Sequence, residues 1–166
     1  MSSNPDIDRT DFAILRLLMN DARLSNKEIA AAVGLAPSSC HERMKSLKAR
    51  GILLGAHADV NLKALGLMLE VVLFVQLAKL KRQTVDKFLQ MTGTVPEVRS
   101  AYLVSGHFDL IVHVVVSDME HLKDLISEHF NRHTAVVRVE TSVVFSKAVR
   151  HAIPLHDSAP IARPSS

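Results

Sequence analysis

Tryptophan is absent from the chain, tyrosine occurs once and phenylalanine only six times in 166 residues. The core must then be aliphatic, and few rings are left to stack on unpaired bases, which disfavours a reader of single-stranded nucleic acid. The lone cysteine, Cys40, excludes an internal disulfide framework and a cysteine-rich zinc site, and suits a reducing compartment. His129 and His133 stand four apart, but no HExxH or CxxC accompanies them, so neither a metal nor a cofactor is expected. The opening MSSNPDIDRTD has no basic stretch leading into an apolar one and does not read as a signal peptide. The longest nearly apolar run, Leu65 to Ala78, is broken by Glu70 and Gln76 and is too short and polar to span a bilayer. A cytoplasmic protein with no membrane partner is expected.

With 48% hydrophobic and 22% charged residues, the composition is that of a core-forming globular chain, and its length admits two small domains. Ile7, Phe12, Ile14, Leu15, Leu18 and Met19 recur at helical spacing, which predicts an amphipathic helix over 8–20. Ser25 with Glu28 is a capping box opening a second helix that Gly34 ends. Pro37 starts a third, in which Cys40, Met44 and Leu47 share an inward face, and Gly51 ends it. Residues 52–60 look like a short two-stranded wing. Beyond the connector, β-branched stretches at 70–77, 95–103, 110–116 and 136–145 predict strands, with helical spacing at 83–91 and 119–130. The order β-α-β-β-α-β is that of a ferredoxin-like sheet with both helices on one face. The strands are apolar at successive positions, so the second face needs a cover this chain cannot supply, and self-association is expected.

The chemistry of the N-terminal half lies on the third helix. Opposite its inward seam fall Ser38, Glu42, Lys45 and Ser46, flanked by Ser39, His41, Arg43 and Lys48, with Arg50 at the end. Residues 36–50 hold four cations against Glu42 alone, whereas residues 1–35 hold four basic and five acidic residues. Basic charge concentrated on one helix of a helix-turn-helix pattern suits double-stranded DNA: hydroxyls approach base edges or phosphates and the longer cations reach phosphates and guanines. Cys40, inward and with no base partner, reads as a packed small hydrophobe.

The stretch DIDRTDFAILRLLMNDARLSNKEIAAAVGLAPSSCHERMKSLKARGIL resembles the DNA-binding domain of the Lrp/AsnC, or feast/famine, transcriptional regulators. EVRSAYLVSGHFDLIVHVVV and RVETSVVFSKAV resemble the family's ligand-sensing domain, so the likeness covers roughly residues 6 to 150. It implies an α+β protein: a winged helix-turn-helix over 1–60, a linker over 61–68, a ferredoxin-like effector-binding and oligomerisation domain over 69–150, and a tail over 151–166. It implies homodimers assembling to tetramers or octamers, and an amino acid or related effector held near Leu103, Ser105, Gly106, His107, Asp109 and Thr141. There Gly106 allows close backbone approach and Asp109 is placed to receive an ammonium group. His107 departs from the family's frequent acidic residue, and Val139 from a frequent hydroxyl, which makes the expected pocket less negative and more apolar. Two other readings stand beside this one: an enzyme like the sirohaem decarboxylases, which share both domains, and a metabolite-binding interaction module without DNA activity. A basic third helix argues against both.

Overall fold

The structure, a computed structural model, describes residues 7–149. The tail expected over 151–166 lies outside them. Contacts divide the described residues into one unit of residues 7–59 together with Ala148 and Val149, and a second spanning Val60–Lys147.

The first unit holds α1 (Arg9–Asn20), α2 (Asn26–Val33) and α3 (Pro37–Ala49). Each start is chemically marked. Asp8 and Asp11 form a reciprocal capping box on α1, Ser25 and Glu28 one on α2, and Pro37 opens α3 where its missing N–H is not needed. Gly34 closes α2 in the left-handed region at φ 69°, a conformation that favours glycine. Ile14, Ile29, Cys40 and Leu47 are fully buried between the helices, and Ala30 nearly so. The expected two-stranded wing is not formed: no strand lies between Gly51 and Leu69. At the start of that segment the backbone donors go to α3 instead. Gly51 turns left-handed at φ 67°, and the N–H groups of Gly51, Ile52 and Leu53 donate back to Lys48 O and Leu47 O at 2.9–3.1 Å, capping α3 instead of entering a ladder.

The second unit opens with a single 3-10 turn, Leu62–Leu65, capped by the Asn61 side chain. It continues through β1 (Leu69–Leu77), α4 (Arg82–Thr92), β2 (Val98–Leu103), β3 (Leu110–Val116), α5 (Met119–Leu125) and β4 (Val136–Val143). The sheet order is β2-β3-β1-β4 and every pairing is antiparallel, as the ferredoxin-like reading requires. β2 starts at Val98, three residues later than expected, after the turn around Pro96. The last helical stretch runs on from α5 as a π turn, Ile126–Asn131, which apolar spacing alone does not distinguish from α-helix. Val71, Leu73, Val75 and Leu77 of β1 and Leu110, Val112, Val114 and Val116 of β3 pack with Val85, Phe88, Leu122, Leu125 and Phe130 of the helices. On β1 burial alternates strictly, with Val72, Phe74 and Gln76 half-exposed on the other face. Both faces carry apolar side chains, but the helices among the described residues cover only one.

Candidate nucleic-acid interface and sensor site

Helix α3 presents Ser38, Ser39, His41, Glu42, Lys45, Ser46, Lys48 and Arg50 to solvent, while Cys40 and Leu47 are buried and Met44 half-buried. Its start is tied to α2 by the Asn26 side chain, whose amide donates to Pro37 O at 2.8 Å. Lys45 and Lys48 make no ion pair among the described residues. The stem of Lys48 borders an apolar groove lined also by Phe12, Leu15 and Met44.

Arg43 departs from the expected recognition face. Its Nη1 donates to Asp8 Oδ2 at 2.6 Å and Asp11 Oδ1 at 2.8 Å, binding α3 to the capping box of α1. The Asp11 N–H and then the guanidinium hold the Asp8 carboxyl below its ordinary range against the opposing effect of burial, and the two carboxylates raise Arg43. Arg43 thus spends its charge inside the unit, and the exposed cations on α3 itself are Lys45 and Lys48, against Glu42. This clamp spans 32 to 35 residues, and only the acidic first turn of α1 hinted at it.

In the second unit Val104 N–H closes the β2–β3 turn on Asp109 O at 2.9 Å, with Leu103, Ser105, Gly106 and His107 exposed. Gly106 sits at φ 141°, where other residues are strained, and a Cβ there would meet open space; glycine serves the turn's conformation. Asp109 does not present a free carboxylate: its Oδ2 accepts Leu77 N–H at 2.7 Å, a donor on the β3 side of β1 where β1 runs past the last ladder pair, Val75 with Leu110. Phe108 packs on Phe74, with ring centroids 5.4 Å apart, and His107 meets Phe108 edge-on at 4.8 Å. These rings lie on the uncovered face of the sheet. Thr141 pairs with Leu73 and so points to the helix side, and two strands and two residues separate it from Leu110, on the order of 10 Å. One chain does not bring Thr141 to the turn.

The uncovered face also holds a charged cluster that sequence reasoning missed, although Glu70 was visible as a break in an apolar run. Lys147 Nζ donates to Glu70 Oε1 at 2.6 Å, and His113 Nε2 lies 3.3 Å from Glu70 Oε2. The Lys147 hydrogen bond holds the Glu70 carboxyl below its ordinary range despite burial, with smaller help from His113. Among the described residues no group of His, Cys, Asp and Glu is arranged to hold a metal, and no helix is long and apolar enough to cross a membrane.

The Lrp/AsnC ligand binding domain matches residues 70–154, and a winged helix-turn-helix DNA-binding domain matches residues 7–53. The chain belongs to the Lrp/AsnC family. Like others of this family, it is similar over most of its length to curated regulators. It is 35% identical over 150 residues to the HTH-type transcriptional regulator AldR of Mycolicibacterium smegmatis, covering 90% of this chain and 87% of that one. It is 36% identical over 145 residues to the leucine-responsive regulatory protein of Salmonella typhimurium, covering 86% and 87%. Among solved structures, the L-Met complex of a Neisseria meningitidis transcriptional regulator superposes with a TM-score of 0.82 at 26% identity, covering 90% of this chain and 97% of that one. Escherichia coli AsnC superposes at 0.77, also at 26% identity, covering 89% and 97%. This Lrp/AsnC protein is a DNA-binding transcriptional regulator and not an enzyme. The winged helix-turn-helix match ends at Leu53, two residues into the segment in which the wing strands were expected.

Proposed function

We propose that this regulator works in the cytoplasm as a homo-oligomer that binds operator DNA through α3 and changes its regulation on binding an amino acid or related small metabolite. The observation that carries the DNA contact is the exposed face of Ser38, Ser39, His41, Glu42, Lys45, Ser46, Lys48 and Arg50, held in orientation by Arg43 from behind. Hydroxyls at the start of α3 approach base edges, and the cations hold phosphates and make affinity salt-dependent. Association is supported by Val72, Phe74 and Ile111, which lie half-exposed on a sheet face that the described residues leave uncovered. Oligomers space two or more recognition helices along one face of DNA, so that weak single contacts add through effective concentration.

For the effector, the β2–β3 turn offers exposed backbone at Ser105 and Gly106, with Leu103 and His107 beside it. Asp109 supports the turn from below through Leu77 N–H, and Thr141 joins such a site only when supplied by another copy. The L-Met complex of the Neisseria regulator supports an amino acid as the ligand class. Regulation requires the ligand to bind two assemblies unequally. The test is fluorescence anisotropy on a labelled copy of the protein's own upstream region, titrated against salt with and without a pool of amino acids. Salt-sensitive binding that beats unrelated DNA and shifts with the pool is expected. Specific binding that ignores every pool refutes the sensor, and no specific binding across a genomic fragment library refutes the operator reading.

A further inference from the structure

A cavity of about 170 Å³ lies away from the β2–β3 turn, within the second unit. It is floored by the nearly buried Val115 and walled by Leu62, Leu67 and Pro96. At this volume, below the ~300 Å³ at which drug-sized pockets begin, it has room for a metabolite of few heavy atoms. Its polar lining is Arg99, Glu97 and His121.

Arg99 is placed there by a backbone irregularity. The β2–β3 register slips between Val98 and Ser100, so Arg99 is the extra residue of a bulge on an edge strand, the device by which sheets re-aim a side chain. Among the described residues no carboxylate pairs with it, although Glu97 lines the same cavity two positions away. Glu97 is held elsewhere. Ser117 N–H lies 3.4 Å from His121 Nδ1 as its donor, which leaves Nε2–H to donate to Glu97 Oε1 at 3.0 Å. Among the described residues no side chain donates to Glu97 Oε2. Burial by itself would raise the Glu97 carboxyl, but its own backbone N–H, His121 and His129 outweigh it and hold the group ionised.

An unpaired cation and an oriented carboxylate thus face one small cavity with an apolar floor and do not meet. We propose that this cavity is a small-molecule site for a zwitterionic α-amino acid with a short apolar side chain, Arg99 receiving the carboxylate and Glu97 the ammonium. An anion without an ammonium group would satisfy Arg99 but face Glu97, and an amine without a carboxylate the reverse, so the pair of charges selects the zwitterion. Val115, Leu62 and Leu67 bound the side chain. The site uses no residue of the β2–β3 turn and goes beyond the sensor reading. Because Leu62 opens the 3-10 turn that follows the DNA-binding unit in sequence and Leu67 lies just after it, occupancy bears directly on that connector.

The test is titration calorimetry of the full chain with L-alanine and L-valine, set against pyruvate and 2-oxoisovalerate, which lack the ammonium, and ethylamine and isobutylamine, which lack the carboxylate. Arg99→Gln and Glu97→Gln are compared with the wild type; both are conservative in size, and retained Tm and unliganded operator binding report that they fold. The expected result is binding of an amino acid at least tenfold tighter than of its oxo acid or amine, with a binding component weakened tenfold or more in each variant. An isotherm unchanged by both substitutions, equal binding of the oxo acid, or no binding by the wild type at millimolar ligand overturns the site. Because calorimetry reads occupancy without DNA, an operator complex indifferent to amino acids would sink the sensor reading and leave this one standing.

Discussion

Replacing Arg43 with alanine removes the cation shared by Asp8 and Asp11 and separates two roles that a basic residue on α3 can have. Both hydrogen bonds are charge-assisted and short, at 2.6 and 2.8 Å, and Asp11 is only 6% exposed, so its carboxylate would be left without its cation in a place water barely reaches. Charge-assisted bonds contribute about 1.5–3 kcal/mol each when buried. The side chains of Arg43 and Asp8 are 36% and 51% exposed, which discounts one of the two heavily and leaves about 2 kcal/mol for the clamp. Should the small N-terminal unit melt by itself, that lowers its Tm by roughly 8–16 °C. Asp8 adds a pH signature. Its carboxyl is held low in the fold, so its contribution is present above the unfolded value of 3.8 and is lost as pH falls through the folded one; in Arg43→Ala that contribution shrinks at neutral pH. The decisive assay is operator affinity against salt. A cation that neutralises one phosphate adds about 0.9 to the slope of log K against log salt, so its removal from one protomer lowers the slope by that amount, whereas removal of a positioning residue lowers affinity at unchanged slope. We expect lower stability, weaker binding and an unchanged slope. Wild-type stability with a slope reduced by about 0.9 would show that Arg43 leaves the aspartates for DNA and would refute the clamp.

Lys45→Ala should do the opposite, keeping Tm and reducing the salt slope by about 0.9 per engaged protomer; an unchanged slope removes Lys45 from the interface. Asp109→Ala leaves Leu77 N–H without its acceptor and should cost about 1–3 kcal/mol in denaturant unfolding. Asp109→Asn keeps an acceptor oxygen and should restore much of it, and an Asn variant that is stable but deaf to effector would return Asp109 to ligand binding. Cys40 is fully buried and burial pushes its thiol up, so it should resist a disulfide reagent until the unit opens; rapid stoichiometric labelling of the native protein would contradict its packing. Glu70, held low chiefly by Lys147, contributes stability that is present above 4.5 and lost as pH falls further, so Glu70→Gln should flatten acid unfolding of the sheet unit, and an identical acid profile would count against that ion pair.

The sequence by itself determined whatever neighbours along the chain decide. The capping box at Ser25, Pro37 at the start of α3, Gly34 at the end of α2 and the inward seam of Cys40 and Leu47 are contacts within a few residues, and each was read from spacing. Strand and helix order carried the ferredoxin-like topology, because crossovers of this length admit few arrangements. Tertiary structure decided which side chains are free to act. Arg43 and Lys45 look alike in sequence, yet one lies against aspartates 32 and 35 residues away while the other is exposed. Asp109 has the chemistry of an ammonium receptor, yet Leu77, 32 residues away and beyond the end of the β1–β3 ladder, leaves it a backbone N–H to satisfy. Where the wing was expected to begin, the Ile52 and Leu53 donors are likewise taken by the end of α3. Periodicity records where a side chain points along its own element, whereas its availability depends on partners that only the folded chain brings within hydrogen-bonding distance.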